Sequence, residues 1–117
     1  MKIFVYGSLR QGGALSWYLA GSECLGEKET KKEHSLYSLG PFPAMTAEGD
    51  TAVIGEVYEV NKETLDMLDR AEGHPNFYVR TPIVLEDGTK VEAYLLPGIP
   101  RGCEKVESGD WLDYLTS

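Results

Sequence analysis

Cysteine and histidine are scarce, with two of each in 117 residues. Cys24 and Cys103 are too few for a disulfide framework and fit reduced structural thiols. Together with His34 and His74 they give no metal-ligand spacing, so no metal site is expected. Long apolar runs are missing as well. The opening M-K-I-F-V-Y-G has four successive apolar residues before its glycine, far short of a signal peptide or a membrane span. The expectation is a cytoplasmic protein with no membrane partner. Positive charge is in deficit: 11 Lys and Arg face 19 Asp and Glu, for a net charge of −8. Such a balance repels nucleic-acid phosphates and anionic lipid, so neither is an expected partner. Lys28, Lys31 and Lys32 form the densest basic patch, but Glu27, Glu29 and Glu33 interleave with it. That pattern reads as a solvated face. No linker, repeat or low-complexity segment divides the chain, which predicts one domain over 1–117.

Several catalytic signatures are absent too. Y-G-S-L is not followed by G-K-[ST], so it is no phosphate loop. No G-x-S-x-G elbow surrounds Ser8, and neither histidine stands in a recognisable triad setting. Regular alternation of strands and helices is missing, which argues against a doubly wound parallel sheet.

What is present is a run of strand signals, one strong helix and a hairpin. Ile3–Tyr6 reads as a buried strand that opens the loop G-S-L-R-Q-G-G. Residues 14–20 predict a short helix, and 24–39 one or two strands. Gly40-Pro41-Phe42-Pro43 predicts a rigid loop. Residues 52–60 are β-rich, with Gly55 marking a bulge. Asn61 is a good N-cap for a helix over 62–72. Asp87-Gly88 between 77–86 and 90–96 predicts a hairpin with a two-residue type I′ turn. Trp111, Leu112, Tyr114 and Leu115 are expected to pack back onto the body. The fold class predicted is α+β: a small, mixed, largely antiparallel barrel or curved sheet, with one main helix against an opening and short peripheral helices.

Two places could carry chemistry. A glycine after a buried strand lets successive backbone amides of Gly7, Ser8 and Leu9 turn outward, a nest suited to a carboxylate or an oxyanion. The simpler reading is a tight turn in which Ser8 bonds its own backbone. The other place is Glu72. Leu65, Leu68 and Glu72 share one helical face, so a carboxylate continues an apolar stripe at the helix end where negative charge is least welcome. Either Glu72 bends outward to pair with Arg70 or Arg80, or it faces a pocket with a raised pKa and serves as a general acid or base. Tyr58 and Tyr78 read as core aromatics with solvated hydroxyls. Asp66 and Asp69 lie off the stripe and read as solvated. Arg80 is expected to pair with an acid, and Phe42 to be a pocket lip or a packed loop residue.

Taken together, V-Y-G-S-L-R-x-G, G-x-V-Y-E-V and L-D-x-x-E-G-x-P-x-x-Y-x-R resemble the gamma-glutamylcyclotransferase-like superfamily. The nearest branch is the gamma-glutamylamine cyclotransferases and their small bacterial and plant relatives. The resemblance covers about residues 2–80 and returns at G-D-W. It implies a barrel with a pocket at its mouth, and conversion of a γ-glutamyl amine or peptide to 5-oxoproline and free amine without a cofactor. It implies Glu72 as the catalytic acid/base. It also implies a glutamyl site at Tyr6, Gly7, Ser8 and Leu9, with Tyr78 lining the pocket. The chain departs from that branch at Ser8 and Arg10, and in G-A-L-S-W after the glycines, so the resemblance does not name the amine. Two other classes remain open on the residues: a non-catalytic protein that holds an acidic metabolite in the same nest, and an interaction module whose mouth is filled by its own tail at Trp111–Leu115.

Overall fold

The computed structural model describes residues 1–116. Eight strands form one sheet: β1 (Lys2–Val5), β2 (Glu23–Glu29), β3 (His34–Ser38), β4 (Pro43–Thr51), β5 (Ile54–Glu59), β6 (Val79–Val84), β7 (Lys90–Leu95) and β8 (Glu104–Lys105). Their order is β2-β5-β1-β7-β4-β3-β8, with β6 branching from β7. Pairing is antiparallel except where β7 runs parallel to β1 and to β4. The expected mixed, largely antiparallel sheet is therefore present, but it does not close into a barrel. Its ordered path ends on β2 and on the two-residue β8, and these are not hydrogen-bonded to one another. A single bridge, Thr30 to Leu85, joins the end of β2 to the end of the hairpin.

Strand β1 explains why I-F-V-Y is apolar without alternation. Ile3 and Val5 enter one core cluster, Phe4 and Tyr6 the other, so the strand is buried on both faces. One face is covered by helix α1 (Lys62–Ala71) through Leu68 and by a 3-10 turn, Ser16–Leu19, through Leu19. The other receives Trp111 from helix α2 (Trp111–Thr116). Thus α1 lies on a sheet face, not at a barrel opening. Leu112 and Tyr114 also pack inward, whereas Leu115 is exposed.

Local chemistry sets most element ends. The Asn61 side chain accepts the Thr64 amide at 2.8 Å, capping α1 as expected. The β6–β7 hairpin is also found, but its turn differs from expectation. Gly88 N donates to Leu85 O and Leu85 N to Thr89 O, while only Gly88 has positive φ. That is a three-residue loop, a type I turn followed by a left-handed glycine, and not type I′. Gly55 does not mark a bulge. It stays in register with Lys28, and the irregularity lies between Cys24 and Gly26. A Cβ at Gly55 would sit 2.3 Å from Val5 O, so close approach of β1 explains the glycine. Both cysteines are free. Among the described residues no helix is long and apolar enough to cross a membrane.

Candidate active site

The segment after β1 folds inward on its own carbonyls. Arg10 N donates to Gly7 O at 3.0 Å, Gly13 N to Arg10 O at 2.7 Å and Leu15 N to Ser8 O at 2.9 Å. Carbonyls of the loop are thereby used. Among the described residues, the amides of Gly7, Ser8 and Leu9 make no hydrogen bond. The tight turn is present, closed by Arg10 N on Gly7 O, but the Ser8 hydroxyl does not bond the local backbone. Behind the loop, buried Arg10 meets Glu56 at 3.5 Å and Asp110 at 2.8 Å, and the Glu56 carboxylate accepts Gln11 N at 2.8 Å. These contacts clip the loop to β5 and to the start of α2.

Glu72 is the C-cap of α1. Gly73 N bonds Arg70 O and His74 N bonds Asp69 O, the paired bonds of a Schellman ending, with Gly73 at φ +69°. The chain then turns back, and Tyr78 N reaches Glu72 O. Neither arginine takes the Glu72 side chain. Arg80 pairs instead with Asp69 at 2.9 Å and Glu92 at 2.8 Å. Asp69 is therefore not solvated; it also accepts the Tyr94 hydroxyl at 2.7 Å. The carboxylate of Glu72 makes no ion pair or hydrogen bond among the described residues, and burial pushes its pKa up to about 7.

Both features open into one cavity of about 400 Å³. Tyr6, Gly7, Ser8, Leu9, Glu72 and Tyr78, the residues singled out from sequence, all line it. Tyr6 and Tyr78 contribute rings rather than free hydroxyls. Tyr6 donates to Tyr94 O at 2.6 Å and accepts Met45 N at 3.1 Å, while Tyr78 donates to Pro43 O. Tyr58 likewise spends its hydroxyl on Glu56, at 2.9 Å. These are satisfied core tyrosines, not solvated ones. Burial, with Tyr78 and Glu72 nearby, raises the Tyr6 pKa, and burial with Glu72 nearby raises that of Tyr78. Pro43 is the meeting point of the walls. A Cβ on Gly7 would lie 2.7 Å from its Cγ, so only glycine lets the two loops touch.

The sequence reading missed Leu15, Phe77 and Tyr94, which also line the cavity, and left Phe42 open between lip and packed residue. Phe42 is in fact a lip. Tyr94 sits in a hairpin strand with no local signal beyond alternation. Phe77 lies inside the E-G-x-P-x-x-Y segment, where an aromatic next to Tyr78 was the available clue. None of Trp111–Leu115 lines the cavity, so the tail does not plug it.

The sequence model of the family described as "Gamma-glutamyl cyclotransferase, AIG2-like" matches residues 3–113. The chain belongs to this family. A Methanocaldococcus jannaschii protein, itself only provisionally named a gamma-glutamylcyclotransferase, is 40% identical over 120 residues, covering 96% of each chain. The Escherichia coli gamma-glutamylcyclotransferase family protein YtfP is 36% identical over 113 residues, covering 97% of each. Among solved structures, an uncharacterized Pyrococcus horikoshii protein superposes with a TM-score of 0.84 at 32% identity, covering 99% of this chain and 93% of that one. The fold is thus that of the gamma-glutamyl cyclotransferase, AIG2-like family. The names of its relatives point to a gamma-glutamylcyclotransferase-like function.

Proposed function

We propose that this protein converts a γ-glutamyl amide to 5-oxoproline and a free amine, with Glu72 as the proton carrier. The observation that carries the reading is the Glu72 carboxyl: unpaired, buried to a pKa of about 7, and sharing a cavity with three unpaired amides. A base poised near the working pH is the property general acid–base catalysis needs.

The substrate arrives with a protonated α-amine. Glu72 takes one proton, and the freed nitrogen attacks the γ-carbonyl carbon. A C–N bond forms within the ring as the C–N bond to the amine breaks. Glu72 returns its proton to the leaving nitrogen. The second proton, shed by the attacking nitrogen once it is bonded to carbon, brings the amine to its ammonium form. Both protons leave one nitrogen and reach the other, so no co-reactant is consumed. The amides of Gly7, Ser8 and Leu9 hold an anion, either the α-carboxylate or the developing oxyanion. Tyr6 and Tyr78 wall the glutamyl chain into a folded shape. Fixing that near-attack geometry can recover roughly 7–11 kcal/mol of barrier.

The test is direct. Purified protein is incubated with a panel of γ-glutamyl amines and dipeptides, and 5-oxoproline is quantified by chromatography. Glu72→Gln, with circular dichroism unchanged, is expected to lower turnover by roughly 10²–10⁴-fold. Near-native turnover in that variant removes Glu72 from the mechanism. Binding of the panel without any 5-oxoproline would instead make the protein a metabolite-binding member.

A further inference from the structure

We propose that the amine released is uncharged apart from its nitrogen, apolar and aromatic, and that its ring is seated against Leu15, Phe42 and Phe77. The proposal deepens the cyclotransferase reading above and rests on it. It comes from matching the groups that face the cavity with the charges a substrate brings.

Glu72 is the only charged side chain among the lining residues; no lysine, arginine or histidine is present. The three lining tyrosines have committed their hydroxyls, Tyr94 to Asp69, Tyr78 to Pro43 O and Tyr6 to Tyr94 O. What remains for a ligand is one set of unpaired amides, the Ser8 hydroxyl and one carboxylate. A glutamyl group engages the carboxylate and the amides, its α-ammonium on Glu72 and one anion, the α-carboxylate or the developing oxyanion, on the amides. No cationic side chain among the lining residues is left to neutralise a second carboxylate on the amine side. Such a group would be desolvated against apolar side chains, in the field of Glu72 and of a chain carrying −8 overall.

The rim supplies the positive half of the case. Leu15, Phe42 and Phe77 line the cavity, yet each stays 38%, 39% and 44% exposed. Large apolar side chains exposed together beside a cavity mark a binding surface. The rings form an edge-to-face series: Phe42 to Phe77 at 6.3 Å and 83°, then Phe77 to Tyr78 at 4.8 Å and 83°. A further ring extends such a series with favourable geometry. Tyr78 belongs to the glutamyl wall, so the series runs from the reacting end of the cavity out to its mouth, the direction in which the leaving amine must lie.

Three matched substrates test this: L-γ-glutamyl-phenethylamide, L-γ-glutamyl-L-phenylalanine and L-γ-glutamyl-methylamide. The first two differ only by the acceptor carboxylate; the third lacks the ring. Expected is a kcat/KM for the phenethylamide at least tenfold above both others, measured by 5-oxoproline release. In a Phe42→Ala/Phe77→Ala variant, the ratio of phenethylamide to methylamide turnover should fall toward one. Equal or faster turnover of the phenylalanine peptide or the methylamide by the native protein overturns the proposal and leaves the cyclotransferase reading standing. Ring closure with none of the three overturns the proposal, and no 5-oxoproline from the wider panel of γ-glutamyl amines and dipeptides overturns the cyclotransferase reading as well. A dimer in sedimentation that the Phe42→Ala/Phe77→Ala variant abolishes would put a second copy on the rim, and would also overturn it.

Discussion

At the scale of single residues, Glu72 is placed where an ionised carboxylate gains least. It ends a helix, lacks a cationic partner and is buried, and burial holds its pKa near 7. Stability should record this. In the unfolded chain a glutamate titrates near ~4.3. Below that pH both states hold the proton and the group has no effect on folding. Between there and about 7 the unfolded chain releases its proton first, so stability falls as pH rises. Above about 7 the penalty is complete, on the order of 3 kcal/mol. Glu72→Gln resembles the protonated form and escapes the penalty. The variant should match the native protein in urea unfolding at pH 4 and exceed it by about 1–3 kcal/mol at pH 8. A variant less stable than the native protein at pH 8 would show that the ionised carboxylate makes a stabilising contact. Turnover by the native protein should rise with pH through about 7, as the carboxylate becomes able to accept the α-ammonium proton.

At the scale of elements, the site is a junction of three chain ends: the exit of β1, the C-terminus of α1 and the start of β4. Gly73 decides the second of these. Its φ of +69° permits the bonds from Gly73 N and His74 N that stop the helix with Glu72 facing the cavity. Gly73→Ala should cost about 1–2 kcal/mol in unfolding free energy. It should also reduce turnover beyond what the stability loss explains, because the cap sets where Glu72 points. Thermal unfolding and kcat on the same preparation check the two effects together. Helix α1 was legible in the sequence because its signals are local: Asn61 caps it, Leu65 and Leu68 face inward, and Gly73 stops it. The hairpin was legible from Asp87-Gly88, but its turn type was not, since two- and three-residue turns both accept a glycine after aspartate. Strand β4 was not legible. Pro-Ala-Met-Thr-Ala-Glu-Gly carries little β propensity, yet Ala44 and Met45 are fully buried because β3 and β7 flank the strand. Tertiary pairing overrides propensity there. The cavity's third wall was legible in part: G-P-F-P-A-M resembles a family loop beside the pocket, and its Pro41, Phe42 and Pro43 line the cavity, but nothing local announces that Pro43 meets both Gly7 and Tyr78.

At the scale of the whole molecule, the cavity and the Trp111 core share strand β1. The cavity lies where β1 ends, lined both by Val5 and Leu9 from the cluster under α1 and by Phe4 and Tyr6 from the cluster that Trp111 closes. The tail was expected to pack back, and it does, but only its contacts show that it packs on the far side. Trp111 is 1% exposed and stacks on Tyr114 at 5.3 Å, while neighbouring Asp110 takes Arg10 from the loop behind the amide nest. The tail is therefore part of the core, and it reaches the site through that clip and through the cluster it shares with Phe4 and Tyr6, where Tyr6 is held independently by Tyr94 O and Met45 N. Removing the indole leaves a large void that the flanking strands can fill only partly, so Trp111→Ala should cost about 3–5 kcal/mol in chemical denaturation. Under conditions where this variant remains folded, the cavity should be unchanged. The rise in melting temperature produced by a saturating product, 5-oxoproline, should be similar in variant and native protein. A much larger rise in the variant would mean that the tail restrains the cavity. A lost response in a folded variant would mean that the packing behind Phe4 and Tyr6, or the Arg10 clip, sets the shape of the cavity.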